Sequence, residues 1–230
     1  MPEKVSVQVS VFCGPERHNW INPQLCNFLV GLESIRSRGE RKIDISFIAG
    51  QIPHDSARNL AAKNFVNSDF DWLLMVDNDQ APWVSVLEMF DGASDEMDVI
   101  VPRFFCLTGG GNPTDVHAKQ NLRLSLGWYE MPVKQYRKGE WMELSCAGTG
   151  VMAIRRRVFE KLKRPPHFKF GYDSDGIMSE GEDQFFCRKV RAAGMQIWGN
   201  CRHEAGHMHS IELSFLARIA GFDGQCFPSR

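Results

Sequence analysis

Asp77-Asn78-Asp79 follows the apolar run Trp72-Leu73-Leu74-Met75-Val76, so two carboxylates stand two positions apart where a buried strand should emerge. Acids in that setting lose hydration and repel one another. A divalent cation relieves both penalties, and a hard oxygen site suits Mg²⁺ or Mn²⁺ with substrate phosphates completing the coordination. The plainer reading is an acidic turn that caps a helix starting near Pro82. Upstream, Arg58-Asn59 opens a helical stretch ahead of the acids. Arg58 could contact a phosphate or a nucleotide carbonyl, and Asn59 could hydrogen-bond a base or the acidic loop. Alternatively, Arg58 pairs with Asp55 or another surface carboxylate. Near the other end, His203-Glu204-Ala205-Gly206-His207 has the H-E-x-x-H spacing with which a zinc protease holds its metal from one helical face. That chemistry requires a helix, yet Gly206 inside the motif costs about 1 kcal/mol relative to alanine. The strand-like MQIWGNCRH also leads directly into it, and Glu212 is the available third ligand.

The elements that must position these residues alternate. VSVQVSVF (5–12) reads as a first strand ending at Cys13-Gly14-Pro15, and 22–39 has a helical apolar period stopped by Gly39. Residues 42–50 form a second strand, 54–68 a helix with Asp55 or Ser56 as N-cap, 71–79 a buried strand, and 97–105 another strand. Pro82 suits the first turn of a helix. Residues 107–140, rich in Gly, Pro and polar side chains, read as long loops with one hairpin, a functional lid or binding loop. EWMELSCAGTGVMAIRR returns to strand character broken by Gly148 and Gly150, 179–194 is a helix closed by Gly194, and MQIWGNCRH is a final strand. This alternation predicts an α/β fold with a mostly parallel central sheet, whose ligands gather at the carboxyl ends of the strands.

At 230 residues, 43% hydrophobic and 24% charged, the chain fits one domain with a full core. A net charge of -1 gives no global signal for nucleic acid or membrane. The basic run AIRRRVFEKLKRPPHFK reads as a solvated helix face followed by a loop. Seven cysteines without C-x-x-C, a strand-like N-terminus and no long apolar run predict reduced thiols, no membrane span and a cytoplasmic setting, the host cytoplasm if the chain is viral.

Taken in order, ARN…DWLLMVDND, the glycine-broken CAGTGVMAIRRRVFEKL, EGEDQFFCRKVRAAGMQIWG and a late histidine resemble nucleotide-sugar glycosyltransferases of the GT-A fold. The likeness is greatest to family 2 and the compact enzymes common in phage and bacterial genomes, and it spans about residues 5 to 210. It implies a Rossmann-related sheet flanked by helices, with about 1–105 as the nucleotide-binding half and about 106–230 as the acceptor and sugar half. It also implies that Asp79 ligates Mn²⁺ or Mg²⁺ bridging the donor diphosphate, while Asp77 binds the metal through water or contacts the donor ribose. Arg58 and Asn59 match positions near the nucleotide, and Cys13 ends the strand beside them. Asp183 is implied as the base that deprotonates the acceptor hydroxyl, with Glu182 touching sugar or acceptor. A charged first helical turn, favoured by the dipole, is the plainer account of both. Gly148 and Thr149, or Cys146, would line the donor sugar, against a simple β-bulge as the alternative. His207 would be the third metal ligand, with His203 and His209 as substitutes. The acids read DND where DDD or DAD is more usual, and 107–140 matches no known acceptor element.

The sequence therefore predicts a metal-dependent glycosyltransferase that moves a sugar from a nucleotide-sugar donor, a UDP-sugar, to an acceptor hydroxyl with inversion. The acceptor stays open among a modified nucleobase in phage DNA, a protein and a glycan, and segment 155–169 is compatible with nucleic acid. The alternatives are a zinc metalloprotease using His203, Glu204 and His207, and a non-catalytic nucleotide-sugar-binding module.

Overall fold

Val7–Cys13 forms strand β1, buried along its whole length. A strand covered on both faces reads as a continuous apolar run, and its polar Ser10 meets Ser46 at 3.1 Å on the neighbouring strand. Asn22 caps helix α1 (Pro23–Ser37), with Pro23 at the helix entry where its missing N–H costs nothing. Strand β2 (Ile43–Ala49) leads to helix α2 (His54–Val66), then to strand β3 (Trp72–Asp77). The computed structural model describes residues 4–14, 21–108, 123–126 and 139–208.

Two local expectations change here. Helix α2 begins behind Pro53 without a side-chain cap, so Asp55 and Ser56 lie inside its first turn and neither caps it. Pro82 closes strand β4 (Gln80–Pro82) and does not open a helix. The backbone of β4 is claimed by pairing with a distant strand, and a proline at a strand end removes no ladder donor that matters. A single 3₁₀ turn (Val84–Leu87) and the short helix α3 (Glu88–Asp91) follow.

Strand β5 (Met97–Arg103) precedes β6 (Phe105–Thr108) and β7 (Arg123–Leu126), which pair with each other as a hairpin inside the segment read as loop. The rest of that segment, 109–122 and 127–138, lies outside the described residues. Strands β8 (Trp141–Leu144) and β9 (Val151–Arg155) are followed by helix α4 (Arg156–Leu162) and the small hairpin β10 (Gly171–Tyr172) and β11 (Met178–Glu180). Helix α5 (Glu182–Ala192) starts after Gly181, so residues 179–180, expected in the helix, belong to β11. Strand β12 (Gln196–His207) closes the described chain.

The central sheet has eight strands, in the order β2-β1-β3-β9-β5-β12-β4 with β8 also on β12. Strands β2, β1, β3, β5 and β12 run in one direction, while β9 is inserted antiparallel between β3 and β5. The sheet is therefore mixed and mostly parallel, with helices on its faces. Among the described residues no helix is long and apolar enough to cross a membrane.

Three arginines at the start of the basic run around α4 are engaged with the fold, while Lys161, Lys163, Arg164 and Lys169 are exposed. Arg155 donates to the carbonyls of Met97 and Ser94, and Arg156 to those of Phe70, Val66 and Phe65. Arg157 pairs with Asp98 at 2.7 Å. These guanidinium groups tie α4 to the segments before and at the start of β3 and β5.

Burial pushes the imidazole of His167 down to about 4, with Lys189 adding to the fall. The neutral ring stands edge-on to Phe159, with its Nδ1 buried and unpartnered among the described residues. A histidine depressed in the folded state and ordinary in the unfolded one binds more protons when unfolded, so stability falls as pH drops from about 6.5 through about 4. The change is on the order of 3 kcal/mol. His167→Phe should flatten that part of the pH–stability curve in urea denaturation; an unchanged slope would assign it to other groups.

Candidate active site

Arg58 lies on the buried face of α2, and only 3% of its surface is exposed. Its guanidinium grips Asp77 through both nitrogens, Nη1 to Oδ1 at 3.1 Å and Nη2 to Oδ2 at 3.0 Å. Its Nε donates to Glu182 Oε1 at 3.2 Å, and its plane sits 5.0 Å from the centre of the Phe12 ring. A single cation thus bridges the end of β3 to the start of α5. Burial raises the Asp77 carboxyl, Arg58 beside it opposes that rise, and Asp79 adds to it. Arg58 was expected at the nucleotide, or paired with Asp55. Instead it holds the two acids in place. Arg58→Met should leave both carboxylates unpaired and cost about 3–5 kcal/mol of stability. Chemical denaturation measures this, and a loss below ~1 kcal/mol would deny the bridge its structural weight.

Beyond Asp77 the chain turns at Asn78-Asp79 and enters β4, which pairs antiparallel with the far end of β12, Gln80 opposite His207. This register carries the imidazole across 128 residues, to 3.3 Å between His207 Nε2 and Asp79 Oδ2. Gln80 donates to Asp79 Oδ1 at 3.3 Å, Asp79 accepts from the Met208 N–H at 2.8 Å, and Phe104 packs its ring against His207. The expected meeting of the early acid with the late histidine is present.

The 146–150 loop lies against the same turn. Gly150 accepts from the Asp77 N–H at 2.8 Å, and a Cβ on Gly150 would stand 2.9 Å from Gln80 Nε2, so a larger residue would have to displace that amide. Thr149 is buried and Gly148 half-buried, while Cys187 of α5 donates to the Ala147 carbonyl at 3.6 Å. Cys13 sits at the end of β1 with its thiol buried in the core and pushed up by that burial. Asn59 is turned away from the acids. Its amide donates to the carbonyls of Asp55 and Phe168 and accepts from the N–H groups of His167 and Phe168. It clamps the loop through His167 and Phe168 to α2.

At the head of α5, Asp183 accepts from the Gln184 N–H at 2.7 Å and is 8% exposed. A Cβ on Gly181 would lie 2.6 Å from Asp183 Oδ1, so the glycine makes room for the carboxylate. Asp77, Asp79, His207 and the Glu182-Asp183 pair are thus linked around the carboxyl ends of β3 and β12.

No family model matches the sequence, and no curated protein matches it. Among solved structures the chain is similar to A197 from STIV, at 16% identity and a TM-score of 0.56, over 89% of this chain and 86% of that one. It is also similar to GalNAc-T7, solved with UDP, GalNAc and Mn²⁺, at 15% identity and a TM-score of 0.51. That match covers 90% of this chain and 44% of GalNAc-T7, so the chain spans less than half of that neighbour's length. The fold is GT-A-like.

Within this GT-A-like sheet the H-E-x-x-H segment is strand, which removes the zinc-protease reading. Histidines four residues apart on extended backbone are separated by about 13 Å, whereas one helical turn would bring them together. Strand β12 is extended because its backbone is paired with β5, β8 and β4 in turn. His203 is buried near Glu88, with burial pushing its imidazole down, and Glu204 pairs with Arg103. Neither faces the turn that carries Asp79. His209 and Glu212, the other ligands considered, lie outside the described residues. The sequence reading also missed Gln80 and Asn22, which touch the acid turn; an asparagine just ahead of a proline-led helix was a visible cap signal, but nothing local pointed it at residues 78–80.

Proposed function

We propose that this chain is a divalent-metal-dependent glycosyltransferase that takes a UDP-sugar as donor. The observation that carries the reading is the 3.3 Å meeting of Asp79 Oδ2 and His207 Nε2. Among the described residues no three His, Cys, Asp or Glu side chains form a complete metal site. Two protein donors are what a cation shared with a diphosphate requires, since Mg²⁺-type ions keep several positions for water and substrate phosphates. Neighbouring donors of an octahedral ion with bonds of about 2.1 Å lie about 3.0 Å apart, close to the observed separation. A carboxylate with an imidazole suits Mn²⁺ better than Mg²⁺, which prefers oxygen donors. Asp79 and His207 would hold that ion, and when bound it neutralises charge on the leaving nucleoside diphosphate.

The chain's own residues supply the rest. Arg58 fixes Asp77, which faces the donor from the end of β3. The loop through Gly148 and Thr149 borders the turn where the sugar would lie. Asp183 accepts the proton of the acceptor hydroxyl as its oxygen bonds to the anomeric carbon, and the bond to the diphosphate breaks with its electron pair leaving on phosphate oxygen. Attack opposite the leaving group gives inversion. Glu182 is engaged by Arg58, which makes Asp183 the better base. The acceptor is a hydroxyl compound.

UDP release from UDP-sugars without acceptor tests the reading. A transferase shows slow, Mn²⁺-dependent hydrolysis abolished by chelation. A binding module shows donor-dependent thermal stabilisation without release, and no response to any nucleotide sugar would sink both.

A further inference from the structure

Asn22 stands one residue ahead of α1 and is completely buried. Its Oδ1 accepts from the Leu25 N–H at 2.8 Å, the ordinary work of a helix cap. Its Nδ2 donates to the carbonyl of Asn78 at 3.0 Å and to that of Gln80 at 2.8 Å. Those two carbonyls flank Asp79. Three other backbone groups of the turn are also held: the Asp77 N–H by Gly150, the Asn78 N–H by Phe12 and the Asp79 carbonyl by Met208. Asn22 is the side chain that closes this cage from the α1 side. Only a primary carboxamide offers two N–H hydrogens and an acceptor on one small plane. Serine or aspartate could cap the helix equally well but could not donate to both carbonyls.

We infer that Asn22 is a positioning residue for the turn that carries Asp79, fixing the peptide units on either side so that the carboxylate meets His207. This rests on the reading of Asp79 and His207 as cation donors. The asparagine couples the start of α1 to a site more than fifty residues away, and capping alone does not call for that second pair of bonds.

The test is Mn²⁺ affinity of the full chain with saturating UDP, read from the free-Mn²⁺ electron paramagnetic resonance signal at a temperature where every variant is folded. Asn22→Ser keeps a cap and removes both donors. It should weaken Mn²⁺ binding at least tenfold, while Leu32→Ala, which destabilises α1 from its buried face, should stay within twofold of wild type. Asn22→Asp, close to isosteric and cap-competent, provides the same comparison if the serine variant does not fold. An affinity within twofold of wild type in a folded Asn22 variant overturns the inference, as does an equal loss in Leu32→Ala. Wild-type protein that binds Mn²⁺ no better than Asp79→Ala overturns the cation reading itself, and this inference with it.

Discussion

Asp79→Ala should lower Mn²⁺-dependent turnover of a UDP-sugar by about 10³-fold, because the loss of a cation's stabilisation of the leaving group is worth several kcal/mol. Asp79 and His207 are the two proposed donors, so removing the carboxylate leaves the imidazole alone of that pair to hold the ion. The fold should survive. Asp79 is 40% exposed at its side chain, and the turn is held through backbone groups that alanine retains. Its stability should therefore stay within about 1 kcal/mol of wild type. Steady-state UDP release with Mn²⁺ titrated over a wide range separates weak metal binding from lost chemistry. Activity within tenfold of wild type would rule Asp79 out as a ligand. Asp79→Asn, which keeps the shape and removes the charge, should fall nearly as far.

The second large effect is expected at Asp183. Asp183→Asn removes the proposed acceptor of the hydroxyl proton, and general-base contributions run to roughly 10²–10⁴-fold. The amide oxygen can still accept from the Gln184 N–H, so the start of α5 should be preserved. Mn²⁺ and UDP binding should be unaffected, because the proposed donors of the cation lie on β12 and on the turn after β3. Transfer rate and Mn²⁺ affinity measured on one preparation distinguish this from misfolding. Should Asp183→Asn keep full transfer while Glu182→Gln loses it, the base would be Glu182. The bond from Arg58 to Glu182 argues against that outcome, since a carboxylate stabilised by a guanidinium is a weaker proton acceptor.

Much of the fold was legible because its signals are local. β1 and β3 read as strands because nearly every residue in them is buried. Gly39 and Gly194 marked helix ends because both adopt positive φ, at 67° and 70°. The errors came where distant backbone claimed a segment. Pro82 carried a helix-start signature and was drawn into a strand by β12. Residues 203–207 spelled a zinc helix and became extended for the same reason. The acids lie at the expected strand end and Asp79 meets His207, but the pairing of Arg58 with Asp77 was not foreseen.

By itself, the sequence determined which residues are apolar, how they repeat and where charge interrupts them. That was enough to place Asp77 and Asp79 at the mouth of a buried strand and Glu182-Asp183 at the head of a helix. Only the tertiary structure decided which of these groups meet. Arg58 reaches Asp77 across 19 residues and Glu182 across 124, and His207 reaches Asp79 across 128. Contacts at such separations depend on strand order and register, which are set by the packing of the whole sheet and leave no periodicity in the chain.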